Sequence, residues 1–303
     1  MIFRAILDKL GHSNSDSKMA QTSKDLATPS PARELDEQRI LEWLSNCSLE
    51  QRVAVIDALK PALGAQMEDG TKFSIRSKQE LVRYRKPADS ETIAWLRTMK
   101  AGDVLYDIGS NTGIFSLKAA IMHARQIQVH AFEPAFATYE SLVRNIIAND
   151  LLEIIVPWQV GLSDTTRLDY MNYTSVEPGA ALHAVGQPID YKRESFQPTL
   201  RQRMPVYALD DLIELFNLPP PTFLKIDVDG IEQKVLAGAA KCLRNQSLRS
   251  VQVEIVETQE NELNTAVIKQ LLLEAGMKLE HVGEVRFMKK RSYPTVFDYT
   301  FSR

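Results

Sequence analysis

Two apolar runs, "VLYDI" and "IFSLKAA", are separated by only five residues, "GSNTG", between positions 104 and 120. A strand that passes into a helix through so short a glycine turn is the opening of a strand–helix–strand unit, and it restricts the chain to a small set of layered α/β folds. In an open parallel sheet, ligands bind outside the carboxyl ends of the strands. The turn is therefore a binding site by position. Gly109 permits a sharp bend and close approach of a ligand, and the helix that follows presents unpaired N–H groups. Asp107 inside the turn would repel a phosphate, so a ligand with a cationic end is the better match.

The same rhythm continues downstream. Strand patterns fall at 103–108, 127–132, 154–160, 222–227 and 250–256, with helical stretches at 113–123, 136–149 and 230–243. A helix is expected at 262–275, and strands at 278–282 and 295–301. Alternation of this kind predicts a doubly wound, mostly parallel sheet covered by helices. "TKFSIRS" reads as one further strand, and "DSETIAWLRTMKAGD" as a helix leading into the sheet. The interval 162–221 breaks the rhythm, with Gly179, Gly186 and prolines at 178, 188, 198 and 205 among its residues. It reads as a long substrate-facing insertion, about 165–221. Ahead of the sheet, 34–88 reads as a helical and strand extension, and 1–33 as a flexible segment rich in Ser, Asp, Thr and Pro. The main domain is placed at 89–303.

Of the 303 residues, 44% are hydrophobic and 25% charged, and the formal net charge is −3. That balance argues against nucleic acid as a main partner. Cys47 and Cys242 have neither pairing nor metal-ligand spacing and suit a cytoplasmic protein. No run reaches the roughly 18 apolar residues of a membrane span. "MIFRAILDKL" carries an apolar stripe suited to peripheral contact with a membrane or partner through residues 1–10.

The glycine spacing fits poorly with the dinucleotide fingerprint G-x-G-x-x-G, because Asn111 stands at the middle glycine. The pattern D-x-G-x-N-x-G instead resembles the first motif of S-adenosylmethionine-dependent methyltransferases. "VHAFEP" places Glu133 about 20 residues beyond the glycine turn, where an acid accepts bonds from the ribose hydroxyls of an adenosine cofactor. "VGLSD" places Asp164, beside Ser163, where an acid could meet an adenine amino group. Together "DIGSNTGIFSLKAA", "AFEP", "NIIAND", "GLSD", "LDDL", "LKIDVDGIEQKVLAGAAKCL" and "VEI" resemble the FkbM family of methyltransferases over roughly 89–257. The resemblance implies a Rossmann-like class I methyltransferase fold whose seven-stranded sheet ends in an antiparallel strand. It also implies methyl transfer to a hydroxyl oxygen, often on a sugar or a polyketide-type natural product. Ser110 stands where alanine is frequent in the family, and Asp229 where glutamate is. The cofactor would then be held by Asp107, by Gly109, Ser110, Asn111, Thr112 and Gly113, and by Glu133, Ser163 and Asp164.

An alcohol nucleophile must lose its proton, which calls for a base or a metal. Asp227 ends an apolar strand in "FLKIDVDGIE", with Lys225 on the same face. His183 in the insertion is the candidate general base. Asp227, Glu232 and Glu254 could converge above the sheet as ligands for Mg²⁺. Lys192, Arg193, Arg201 and Arg203 could recognise an anionic or polyhydroxylated acceptor, a hydroxylated small molecule or glycan. Tyr173, Tyr191 and Phe196 could stack on sugar rings or anchor the insertion. Two other classes are open: a non-catalytic scaffold keeping the cofactor fold, and a nicotinamide-dependent dehydrogenase.

Overall fold

The computed structural model describes residues 37–85, 90–190, 194–257, 262–284 and 295–303. The expectations for 1–33, including the apolar stripe at 1–10, and for Tyr191, Lys192 and Arg193 lie outside these residues. Two compact units divide at Gly64. The first contains helices α1 (Glu37–Ser45) and α2 (Leu49–Leu59). Ser48 starts α2 with a reciprocal capping box: its hydroxyl accepts from the Gln51 N–H and its own N–H donates to Gln51 Oε1. This arrangement satisfies two backbone donors that a helix end otherwise leaves open.

In the second unit, a short ribbon of β1 (Gly64–Gln66) and β2 (Lys72–Ser74) precedes helices α3 (Lys78–Arg85) and α4 (Ser90–Leu96). The central sheet is built from β3 (Val104–Ile108), β4 (Gln128–Phe132), β5 (Ile155–Trp158) and, beyond an excursion, β10 (Phe223–Ile226), β11 (Ser250–Glu257), β12 (Lys278–Glu284) and β13 (Thr295–Ser302). Its order is β12-β13-β11-β10-β3-β4-β5. β13 runs antiparallel to both of its neighbours, and the other pairings are parallel. The seven-stranded, mostly parallel sheet expected from the sequence is present. Strand alternation divides its side chains between two cores. Tyr106, Ile108, Leu224 and Ile226 face one, while Leu105, Val129, Ala131 and Phe223 face the other. Helices α5 (Ile114–Met122) and α6 (Phe136–Ala148) cover the second core.

The excursion differs from the expected long loop. Residues 161–208 form a second sheet of β6 (Gly161–Ser163), β7 (Arg167–Tyr173), β8 (Ala184–Val185) and β9 (Leu200–Ala208), in the order β6-β9-β7-β8. Its inner face packs Met171, Tyr173, Met204 and Val206 together. Helix α7 (Leu209–Phe216) returns the chain to β10. The helix expected over 230–243 is two short ones, α8 (Glu232–Ala237) and α9 (Ala240–Arg244). They break at Gly238, where a Cβ would lie 2.0 Å from the Ser163 carbonyl oxygen. The helices thus approach β6 too closely for any side chain at that point. Helix α10 (Glu262–Glu274) leads into the last hairpin.

Candidate active site

The carboxyl ends of β3, β4, β10 and β11 surround a cavity of about 480 Å³, within the range of about 300–1,000 Å³ typical of small-molecule sites. Its floor is the glycine turn. Gly109 has φ +83°, and a Cβ there would lie 1.9 Å from the Asp227 carbonyl oxygen. The backbones after β3 and β10 are therefore in direct contact, closed by Asp227 N–H donating to Ile108 O at 3.0 Å. Both Gly109 N and Ser110 N donate to Phe132 O, which ties the turn to the end of β4. Gly113, also at positive φ, starts α5 without a side-chain cap, so the helix N-terminus stays open.

Glu133 is buried and lies on the cavity wall. Its two carboxylate oxygens accept from Asn111 N–H and Ala135 N–H, each at 2.9 Å. Burial pushes its pKa up to about 7, against the pull of these two N–H groups and of Arg83. Gly109, Ser110, Asn111 and Thr112 line the same wall. The Ser110 hydroxyl is buried and has no hydrogen-bond partner among the described residues.

Other expected cofactor residues lie elsewhere. Asp107 is fully buried behind the wall, its Oδ2 accepting from Ser116 Oγ at 2.6 Å. Strand parity explains this, because Asp107 shares the face of Leu105, under α5. Burial raises its pKa, and Lys225 and Ser116 oppose that shift. Ser163 is buried and donates to Asp164, and Asp164 is exposed and ion-paired with Arg167 at 3.0 Å. Neither reaches the cavity, whose wall here is Val160, Gly161 and Leu162. The wall at this point is apolar rather than acidic.

Asp227 lies on the wall, and Lys225 donates to its Oδ2 at 2.7 Å. Lys225 itself is buried and stacked over Phe115. Burial opposes its charge, yet Asp227 and Asp107 hold the ammonium above its ordinary pKa. A lysine so held is no base, and its part is to anchor Asp227. His183 lines the cavity and packs against Tyr173. Its Nδ1 lies 3.3 Å from Thr174 N and 3.1 Å from Thr174 Oγ1, whose hydroxyl donates to Ala181 O at 2.9 Å. Burial, with the Arg83 charge, pushes its pKa down to about 4. Thr174 and Tyr173 thus hold His183 on the cavity wall as a neutral imidazole at neutral pH.

The expected Mg²⁺ set is not assembled. Among the described residues no group of three or more His, Cys, Asp or Glu side chains is placed to hold a metal. Glu232 is off the wall at the start of α8, where its Oε1 accepts from Gly230 N–H at 2.9 Å. Glu254 is on the wall, opposite Asp298 in the β11–β13 ladder. Burial raises the Glu254 pKa, and Asp227 and Asp298 reinforce the effect.

Glu232 offers a direct test of this burial. Its pKa is pushed up to about 8 by burial, with Asp229 and Asp227 adding to the shift and Gly230 N–H opposing it. The folded chain therefore keeps a proton that the unfolded chain releases above its ordinary value. The associated stability is present at acid pH and is lost as pH rises through about 8. Glu232→Gln keeps the acceptor and removes the ionisation. Its urea midpoint is expected to equal that of the unmodified protein at acid pH and to exceed it above the folded pKa. Parallel curves across that range would refute the raised pKa.

Two further wall residues, Asp298 and Arg83, had no local signal in the sequence, and a third, Asp229, lies within the "KIDVDGIE" motif. Asp298 accepts from Thr92 Oγ1 at 3.4 Å. Asp229 accepts from Leu182 N–H at 2.7 Å and fastens the 178–182 segment over the cavity. Arg83 reaches the same segment from α3, its Nε donating to Gly179 O at 3.0 Å. Tyr173 is buried and anchors the second sheet, bonded to Phe136 N–H and Gln202. Arg201 and Arg203 stack on Tyr170 on the exposed face of that sheet, away from the cavity wall.

A seven-stranded sheet with one antiparallel strand next to its edge, and a glycine turn tied to a buried acid after the next strand, defines a class I methyltransferase. Residues 107–283 match the family model described as the methyltransferase FkbM domain. The chain belongs to this family and is a methyltransferase. It is 28% identical over 186 residues to the hexuronic acid methyltransferase AglP of Haloferax volcanii, covering 61% of this chain and 70% of that one. It is 31% identical over 158 residues to the 31-O-demethyl-FK506 methyltransferase FkbM of Streptomyces tacrolimicus, covering 46% and 60%. A solved methyltransferase FkbM from Methylobacillus flagellatus superposes with a TM-score of 0.43 at 16% identity, over 66% of this chain and 44% of that one. No described helix is long and apolar enough to cross a membrane.

Proposed function

We propose that the protein transfers a methyl group from S-adenosylmethionine to a hydroxyl oxygen of a sugar or natural-product acceptor. The observation that carries this reading is Glu133, a buried carboxylate on the cavity wall, held by the backbone of the glycine turn itself. Its oxygens each keep a second lone pair for ribose hydroxyls. The cavity fits such a ligand: Gly109 leaves the floor bare, and the Ser110 hydroxyl awaits a partner. The relatives are named for a hexuronic acid and for 31-O-demethyl-FK506, which supports an oxygen acceptor.

The bound cofactor supplies a methyl group already activated on a sulfonium. The chain's part is positioning and proton removal. Asp227 is the residue for the second task. It is an acid on the wall whose geometry is fixed by the Lys225 ammonium beneath it. His183, on the same wall, is placed to meet an acceptor oxygen and orient it.

Glu133→Ala is expected to weaken binding of S-adenosylhomocysteine by at least about tenfold, the loss of one or two charge-assisted hydrogen bonds. Titration calorimetry measures it. Unchanged affinity would remove Glu133 from the cofactor site, and no binding by the unmodified protein would refute the cofactor assignment.

A further inference from the structure

The cavity wall carries several acids and one uncommitted cation. Lys225 is bound to Asp227 and buried. Arg144, behind the wall, is bound to Glu80 and Glu140. Arg83 differs. Its Nε donates to Gly179 O, and among the described residues neither terminal nitrogen donates a hydrogen bond or enters an ion pair.

The helix that presents Arg83 is firmly set. Glu80, one turn earlier in α3, is buried and accepts from Arg76 N–H, Ser77 N–H, Ser141 Oγ and Arg144. The Nε bond then fixes the guanidinium plane against the 178–182 segment. The acids closest in electrostatic reach have other partners. Both Glu133 oxygens take backbone N–H groups, and Asp229 takes Leu182 N–H. Arg83 acts on both only through space. A half-buried guanidinium held by Nε, with its terminal edge open to a cavity, has the fork geometry that binds a carboxylate in two parallel bonds.

We propose that the terminal edge of Arg83 is a carboxylate-binding site of this cavity, which selects ligands bearing a carboxylate over neutral analogues. The inference rests on the methyl-transfer reading and deepens it. Two ligands of that reaction offer such a group: the amino-acid end of the cofactor, and an acidic sugar as acceptor. Arg83 sits at the Glu133, Asp229 and His183 end of the cavity, where its charge acts on all three. Either carboxylate would there pair with a charge that has no ion-pair partner among the described residues.

Two pairs of probes separate the sources. S-Adenosylhomocysteine and 5′-methylthioadenosine share the adenosine and the sulfur, and only the first has a carboxylate. Methyl β-glucuronide and methyl β-glucoside, titrated into protein saturated with S-adenosylhomocysteine, differ in the same way. In at least one pair the carboxylate-bearing member is expected to bind about tenfold more tightly, the order of one charge-assisted contact. Arg83→Gln should erase that preference and leave the neutral member's affinity unchanged, while Arg83→Lys should retain part of it. The pair that responds identifies the source. The proposal is overturned if neither pair shows a preference, or if Arg83→Gln keeps it. It is also overturned if Arg83→Gln weakens both members of a pair equally, because that outcome assigns Arg83 only to holding the Gly179 segment. Failure of both nucleosides to bind would instead refute the cofactor site itself, and the proposal with it.

Discussion

Gly109→Ala is expected to eliminate measurable binding of S-adenosylhomocysteine and to lower the thermal midpoint by several degrees. Two effects combine. An L side chain at φ +83° is strained by roughly 1–2 kcal/mol. The new Cβ would also lie 1.9 Å from the Asp227 carbonyl oxygen and 2.8 Å from its carbon. Those atoms are backbone at the end of a central strand, so they cannot swing aside as a side-chain tip would. Either the turn lifts away from β10 or β10 shifts, and both movements break the Asp227 N–H to Ile108 O bond. Gly102→Ala is the control. It has φ +85°, but its Cβ would meet nothing within 4 Å. That variant should lose stability through backbone strain alone and bind the nucleoside normally. If Gly109→Ala also bound normally, the contact between the two turns would have no part in shaping the site.

This contact explains what could and could not be read from the chain. The strands at 104–108, 128–132 and 223–226 are short, continuous apolar runs bounded by turn residues, and such runs are legible as buried parallel strands. The second sheet was hidden because only its inner face is apolar. Along β9, Met204 and Val206 alternate with the exposed Arg203 and Pro205, and prolines around it suggested a loop. Gly238 reads as a tolerated glycine within a helix, and only the proximity of Ser163 O shows why the helix must break there.

The site divides in the same way. The glycine turn and Glu133 were legible because both lie at strand ends in one motif. Asp107 shares that motif, but its parity with Leu105 sends it behind the wall, a distinction that alternation along β3 could have supplied. Asp164 has Arg167 three residues on, a local ion pair that removes it from the cavity. Arg83 and Asp298 reach the wall from α3 and β13, far along the chain from the motifs. No spacing rule connects them to Glu133 or Glu254; only the tertiary fold does.

Asp227→Asn is expected to reduce methyl transfer by about 10²–10⁴-fold, the usual contribution of a positioned general base, with nucleoside affinity little changed. The choice of variant follows from Lys225. Asp227→Ala should abolish transfer too, but it would also remove one partner of a buried ammonium, which costs stability. Asp107 still faces Lys225 in the register of β3 and β10, so the alanine variant should fold with a lowered midpoint. Asparagine keeps an oxygen for the Lys225 ammonium, and removes the carboxylate charge and with it the ability to take a proton. Comparison of the two variants therefore separates chemistry from anchoring. If Asp227 acts as base, both lose transfer and only the alanine variant loses much stability. If Asp227 merely balances Lys225, the asparagine variant should retain activity, and full activity there would overturn the catalytic assignment. In that event Glu254, an acid on the same wall whose pKa burial raises, becomes the group to test for the same proton.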